Sequence, residues 1–306
     1  MSKMIVVPGL EITPARLVSS SLPALDYATW DPAKAYLIGD RVTIGQINYE
    51  ALAGNTNRNP VTDTVTPAVW LNLGWVNRYR MFNKQIGNTW KAGTFSSAAD
   101  VIDLTIRPGQ RVNSLGLVGV DASSVRIIMT QPGNPVPIRD ETFVMSRPSG
   151  RGWYQHFFSR FKSRKNLAVL DLPPASNADI RVIVSAPGGT AKVGMMILGW
   201  SEAIGTAVYG TSFGRKGYTT MKEEFDGSIT MTKHGARQLV NYQIVMEGEE
   251  IDNAALTLDQ VRDTASLYVG SVDLAYTIIA GTYDDTDVGL PTFGLGTSTI
   301  VVRSLM

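Results

Sequence analysis

The densest concentration of reactive side chains lies between Arg147 and Lys165. It holds Arg147, Arg151, Arg160, Lys162, Arg164 and Lys165, interleaved with Trp153, Tyr154, Phe157, Phe158 and Phe161. No Asp or Glu occurs between Glu141 and Asp171. Cations alternating with rings can stack on bases or sugars, or seat against an acidic protein surface. The first reading is an intersubunit contact involving Arg147, Arg151, Trp153, Tyr154, Phe157, Arg160, Lys162, Arg164 and Lys165. A core with solvated charges, and a glycan or nucleic-acid contact, are the alternatives.

Other constellations are sparse. The two histidines, His156 and His234, accompany no Gly-x-Ser-x-Gly elbow, so nucleophilic hydrolysis has no local signature. Glycoside hydrolysis needs two carboxylates converging across one bond. Asp140-Glu141 and Glu223-Glu224 are adjacent pairs, and neighbours on a strand point to opposite faces. Asp284, Asp285 and Asp287 offer hard oxygens to a cation but lack the EF-hand spacing and its closing Glu. A polar turn is expected there, with no metal. Cysteine is absent, which excludes disulfides and thiolate sites. No cofactor and no enzymatic activity are expected.

The elements that must carry these residues are mostly strands. The chain has 306 residues, enough for two or three domains. Charged residues make up 18%, below the usual quarter, which suits a protein that buries surface against other chains. The net charge of +1 gives no electrostatic reason to expect nucleic acid or membrane. Met4 to Val7 is an apolar run too short for a signal peptide, and no segment is long enough for a membrane helix. Synthesis in the cytoplasm without secretion is the expectation.

Residues 1–26 read as an extended arm punctuated by Pro8, Pro14 and Pro23, lying on its own domain or on a neighbouring subunit. Residues 27–77 read as a small β-module. Its hairpin is Val42-Thr43-Ile44, Gly45-Gln46, Ile47 to Ala51, and Trp30, Tyr36, Tyr49 and Trp70 are its expected core. Residues 78–200 read as a β-sandwich, jelly-roll-like. Its apolar runs are Val101–Ile106, Val112–Val120, Val125–Met129, Leu167–Leu172, Ile180–Val184 and Val193–Leu198, with Gly and Pro turns between them. Residues 201–306 read as a small α+β domain. Strands are expected at Ser228–Lys233, Gln238–Met246, Ala275–Ala280 and Thr299–Val302, and a helix over Leu256–Ala265. The fold class is mainly β.

Two resemblances follow from particular residues. Trp30-Asp31-Pro32-Ala33-Lys34-Ala35-Tyr36-Leu37-Ile38-Gly39-Asp40-Arg41-Val42, then Ile47 to Ala51, Asn59-Pro60, Trp70 and Trp75, resembles the chitin-binding modules of carbohydrate-binding family 5/12. That resemblance makes Trp30 and Tyr36 the candidate glycan-stacking residues. The usual exposed aromatics after the second tyrosine strand are replaced by Leu52-Ala53-Gly54-Asn55-Thr56. Over residues 4 to 305, the order of that module, Asn77 to Asn83, Gly152 to Phe158, Asp171 to Pro174 and Gly199 to Ser212 resembles a family of tailed-bacteriophage structural proteins labelled carbohydrate-binding. The resemblance implies a virion protein of the tail tip or baseplate region, present in multiple copies. Its implied partners are other tail proteins, with host surface glycan as an adsorption target.

Overall fold

In the computed structural model the chain is mainly β, and its strands form three packed layers with two projections. The structure describes residues 2–64, 66–83, 94–134, 136–147, 162–208, 210–223, 225–232, 236–292 and 294–305.

The middle layer is the key to the architecture. Strand Ser114–Val118 lies between Asn166–Val169 and Met195–Gly199, all antiparallel. Every residue of the three is buried. Their sequences are continuous apolar runs because both faces are covered. Leu115 and Leu117 point into one core, and Val118, one residue out of phase, into another.

On the first face lies a five-stranded sheet in the order Arg139–Val144, Ser124–Thr130, Asp179–Val193, Ser96–Ile106, Leu17–Ser20. Its alternation is the ordinary one of apolar in, polar out. Ile102, Leu104, Ile106, Val125, Ile127 and Val182 face the middle sheet. The opposite face is covered by arginine–carboxylate pairs. The two sheets pack as a sandwich of five strands on three, and the outer one includes Leu17–Ser20 from outside residues 78–200.

On the second face lies a barrel. Its strands run Glu202–Ala207, Lys3–Val7, Ser266–Val269, Ile278–Thr292, Leu295–Ser304, Ala236–Glu247. The first pairs back to the last through Thr206↔Val245 and Ala207↔Ile244, so the ring closes. Along Ser266–Val269, Tyr268 points inside with Met4, Tyr242 and Ile279, while Leu267 and Val269 point at the middle sheet. A Cβ at Gly116 would run into the Leu267 side chain, so the close approach of the two layers requires glycine there. The helix Glu250–Val261 packs Ala254, Leu258 and Val261 into the barrel core.

Three expectations change. The arm of residues 1–26 is not a separate extended segment. Lys3–Val7 is a barrel strand and Leu17–Ser20 an edge strand of the outer sheet, so one short segment staples all the layers. The helix starts six residues before its expected beginning, because Ala254, Thr257, Leu258 and Val261 set its buried face. Ala275–Thr277 forms a single 3₁₀ turn ahead of the strand from Ile278.

The module is inserted between Leu17–Ser20 and Ser96–Ile106. Arg41–Ile44 and Ile47–Ala51 pair through Gly45, whose φ of +61° suits the two-residue turn. Trp70–Trp75 adds the third strand. Tyr36, Val42, Tyr49, Ala51 and Trp70 form its small core.

Candidate functional site

The module joins the body through a polar neck. Asp26, at its entry, accepts hydrogen bonds from the Asn77 backbone N–H at 3.0 Å, Asn48 Nδ2 at 2.8 Å and the Arg80 guanidinium at 3.4 Å. Asn77, at its exit, donates Nδ2 to the Ser97 carbonyl at 2.7 Å and accepts from the Ser97 N–H at 2.9 Å. Val76, Tyr79, Met81 and Phe82 then enter the sandwich core. Entry and exit are thus locked to each other and to the body.

Tyr36, an expected glycan-stacking residue, is core. It is 2% exposed, its ring meets Trp70 edge-on at 5.3 Å, and its hydroxyl accepts from the Asp31 N–H at 2.7 Å. Neither face is free for a sugar. The hydrogen-bonded hydroxyl explains why a tyrosine is tolerated there. Trp30 packs against the same core and is only partly exposed. The exposed side of the module is aliphatic instead. Leu37 is 71% and Ile38 75% exposed, and Leu52 is exposed beside them. Gly39 donates to the Ala51 carbonyl at 2.8 Å, which brings the two segments together.

The cation-rich run divides. Arg151, Trp153, Tyr154, Phe157 and Arg160 lie outside the described residues, as does His156. The backbones of Arg147 and Lys162 pair in a two-stranded ladder. Arg164 is turned inward to a structural task rather than outward to a partner. Its guanidinium donates to the carbonyls of Asn166 at 2.9 Å and Val272 at 2.8 Å, tying sandwich to barrel. Asn166 does the same through Nδ2 to the Ile278 carbonyl at 2.7 Å. Lys165 is exposed.

The acidic candidates do not converge. Asp140 pairs with Arg126 at 2.6 Å, and Glu141, on the other face, with Arg139 at 2.5 Å. The hydrogen bond from Arg126 holds the Asp140 carboxyl below its ordinary pKa. Glu223 is exposed on a hairpin, and Glu224 and His234 lie outside the described residues. Asp284, Asp285 and Asp287 sit inside the strand Ile278–Thr292, at a break in its register, rather than on a turn. Asp284 pairs with Arg303 at 2.6 Å. Among the described residues no group of three or more His, Asp or Glu could hold a metal. Gln243, Thr297 and Thr299 help line an open groove of about 370 Å³ on the barrel.

The chain matches no family model, and no curated protein matches its sequence. Its surfaces therefore carry the functional argument alone.

A further surface is a hairpin, Thr220–Glu223 paired with Ile229–Thr232, in which every strand residue is exposed. Only its second strand was expected. The signal for the whole was present in Asp226-Gly227, a turn dipeptide between two alternating runs. The adjoining strand, Ser212–Gly217, is also exposed throughout, and its Phe213 stacks on Tyr276 at 5.3 Å.

Proposed function

We propose that this chain is a structural component of a bacteriophage tail, in the tail-tip or baseplate region, that works by protein–protein assembly. The tail placement rests on the segment-order resemblance described above. The assembly role rests on the small module: Tyr36, Tyr49 and Trp70 are buried while Leu37, Ile38 and Leu52 are presented to solvent. Stacking on a sugar needs a flat ring at the surface, whereas exposed aliphatic side chains gain only when another apolar surface covers them. The neck at Asp26 and Asn77 holds the module in a fixed orientation, as a docking element requires. Repetition of a weak contact in a multicopy assembly gives it strength.

The alternative is recognition of cell-surface polysaccharide, and the partial exposure of Trp30 favours it. One experiment separates the two. Purified particles of the encoding phage are analysed for this chain by mass spectrometry and immunogold imaging. The expected result is a stoichiometric chain with label at the tail end. Ile38→Asp is expected to leave the fold intact and reduce incorporation about tenfold, the effect of 1.4 kcal/mol. Absence from purified particles, together with glycan binding that is lost in Trp30→Ala, overturns the proposal in favour of the alternative.

A further inference from the structure

The hairpin Thr220–Thr232 is amphipathic, yet both faces of its strands are exposed, and among the described residues no element covers the apolar one. Met221 is directly opposite Met231, and Glu223 opposite Ile229, so these four share one face. Thr220, Lys222, Thr230 and Thr232 share the other. Met221 is 65%, Ile229 67% and Met231 49% exposed. A two-stranded ribbon is marginal in water unless its apolar face is covered. The alternation therefore encodes a contact that one copy of the chain does not make.

The charges say what covers it. At the root of the arm, Lys216 and Arg237 are direct cross-strand partners, both exposed. Like charges in that register repel. Among the described residues no carboxylate pairs with either, and Arg237 lies over the Tyr218 ring at 5.9 Å. At the tip, Glu223 and Asp226 are exposed, and Asp226 accepts from the Ser228 N–H at 2.9 Å to fix the turn. Root and tip are of opposite sign and are separated by the length of the hairpin.

We propose that this arm pairs antiparallel with the same arm of a second copy about a two-fold axis. Apolar face then meets apolar face, and each acidic tip meets the other copy's Lys216 and Arg237. The pattern is self-complementary in this orientation, as an isologous interface requires. The inference goes beyond the virion reading and does not depend on it.

The test is sedimentation velocity on the full chain across a micromolar dilution series. Wild type is expected to dimerise reversibly. Met221→Ser with Ile229→Ser is expected to weaken dimerisation about ten-thousandfold, tenfold for each of the four apolar side chains, two from each copy, no longer buried. Thermal unfolding checks that the variant is folded, and these exposed positions leave the body intact. A second pair of variants reads the orientation. Lys216→Glu with Arg237→Glu, and separately Glu223→Lys, are each expected to weaken self-association, and mixing the two proteins to restore a heterodimer. A wild type that stays monomeric overturns the inference, as does a dimer indifferent to Met221 and Ile229. A dimer that loses affinity in the apolar variant but shows no restoration on mixing overturns the antiparallel pairing. Capture of a different protein by the arm of a monomeric chain replaces the second copy with a foreign partner. A monomer in solution leaves the particle-labelling result untouched, so the two proposals fail separately.

Discussion

The sheet built on Ser114–Val118 is buried on both faces, and the hairpin Thr220–Thr232 on neither. Both are short antiparallel pairings rich in apolar side chains. In the middle sheet, Leu115 and Leu117 serve one core while Val118 serves another, so each side chain has a fixed neighbour. In the hairpin, Met221, Ile229 and Met231 have the alternation of a core-facing strand but are exposed, with no layer among the described residues to face. Apolar patterning specifies that a face must be covered; it does not say whether the cover belongs to the same chain.

The comparison predicts its largest contrast from one kind of truncation at two places. Leu117→Ala removes atoms shared between the outer and middle sheets and is expected to cost about 3 kcal/mol of folding stability. Met221→Ala is expected to change the stability of a single copy by less than about 0.5 kcal/mol. Chemical denaturation at the dilute end of the concentration range measures both. Equal effects would mean that the hairpin has a cover within its own chain and would erase the contrast.

The legibility of each region follows the same division. The apolar runs of the sandwich are local: Val125–Met129 and Ile180–Val184 fall within strands that build its core, while Val193–Leu198 spans the end of one strand, a bend at Gly194 and the next strand. Val112–Val120 reads as a strand, but its second cover is the barrel face at Leu267 and Ala280, some 150 residues away. The barrel was less legible because it closes with the arm, Lys3–Val7, between strands that begin at Glu202 and Ser266. No local pattern marks pairing at that separation. Asp284 and its neighbours looked like a turn because acidic runs usually are. Here the register break between Tyr283 and Thr286 absorbs them into a strand. Tyr36 has two readings in the sequence, core by burial and glycan-stacking by resemblance, and its edge contact with Trp70 bears out the first, since a module this small keeps its rings inside.

The module lies between the two extremes, since it projects like the hairpin but is fastened by polar bonds. Asp26 alone gathers Asn48, Asn77 and Arg80. Asp26→Ala leaves those donors without their acceptor and is expected to lower stability by about 2 kcal/mol. Proteolysis should then cut near the neck while the sandwich resists. If cleavage and stability are both unchanged, the apolar residues Val76, Met81 and Phe82 hold the module without help, and the neck resembles the middle sheet more than a polar hinge.

The outer face of the five-stranded sheet shows how a face can remain exposed without needing a cover. Arg126 pairs with Asp140, Arg181 with Asp103 at 2.5 Å and Arg107 with Asp179 at 2.7 Å. These pairs lie across neighbouring strands, where the hairpin has methionine and isoleucine. Each is exposed, so its contribution is small and salt-sensitive. The Arg126 hydrogen bond lowers the Asp140 pKa below its ordinary value of 3.8. A carboxyl with a lower pKa in the folded state stabilises the fold above its unfolded value. That contribution disappears as pH falls through the folded value. Asp140→Asn is therefore expected to be slightly less stable than wild type at neutral pH and to converge with it in acid, the gap narrowing with salt. Thermal unfolding across that range reads the difference. A gap that persists unchanged in acid would mean that Asp140 acts by packing or by neutral hydrogen bonding. The paired charges would then not be what distinguishes this self-sufficient face from the hairpin's.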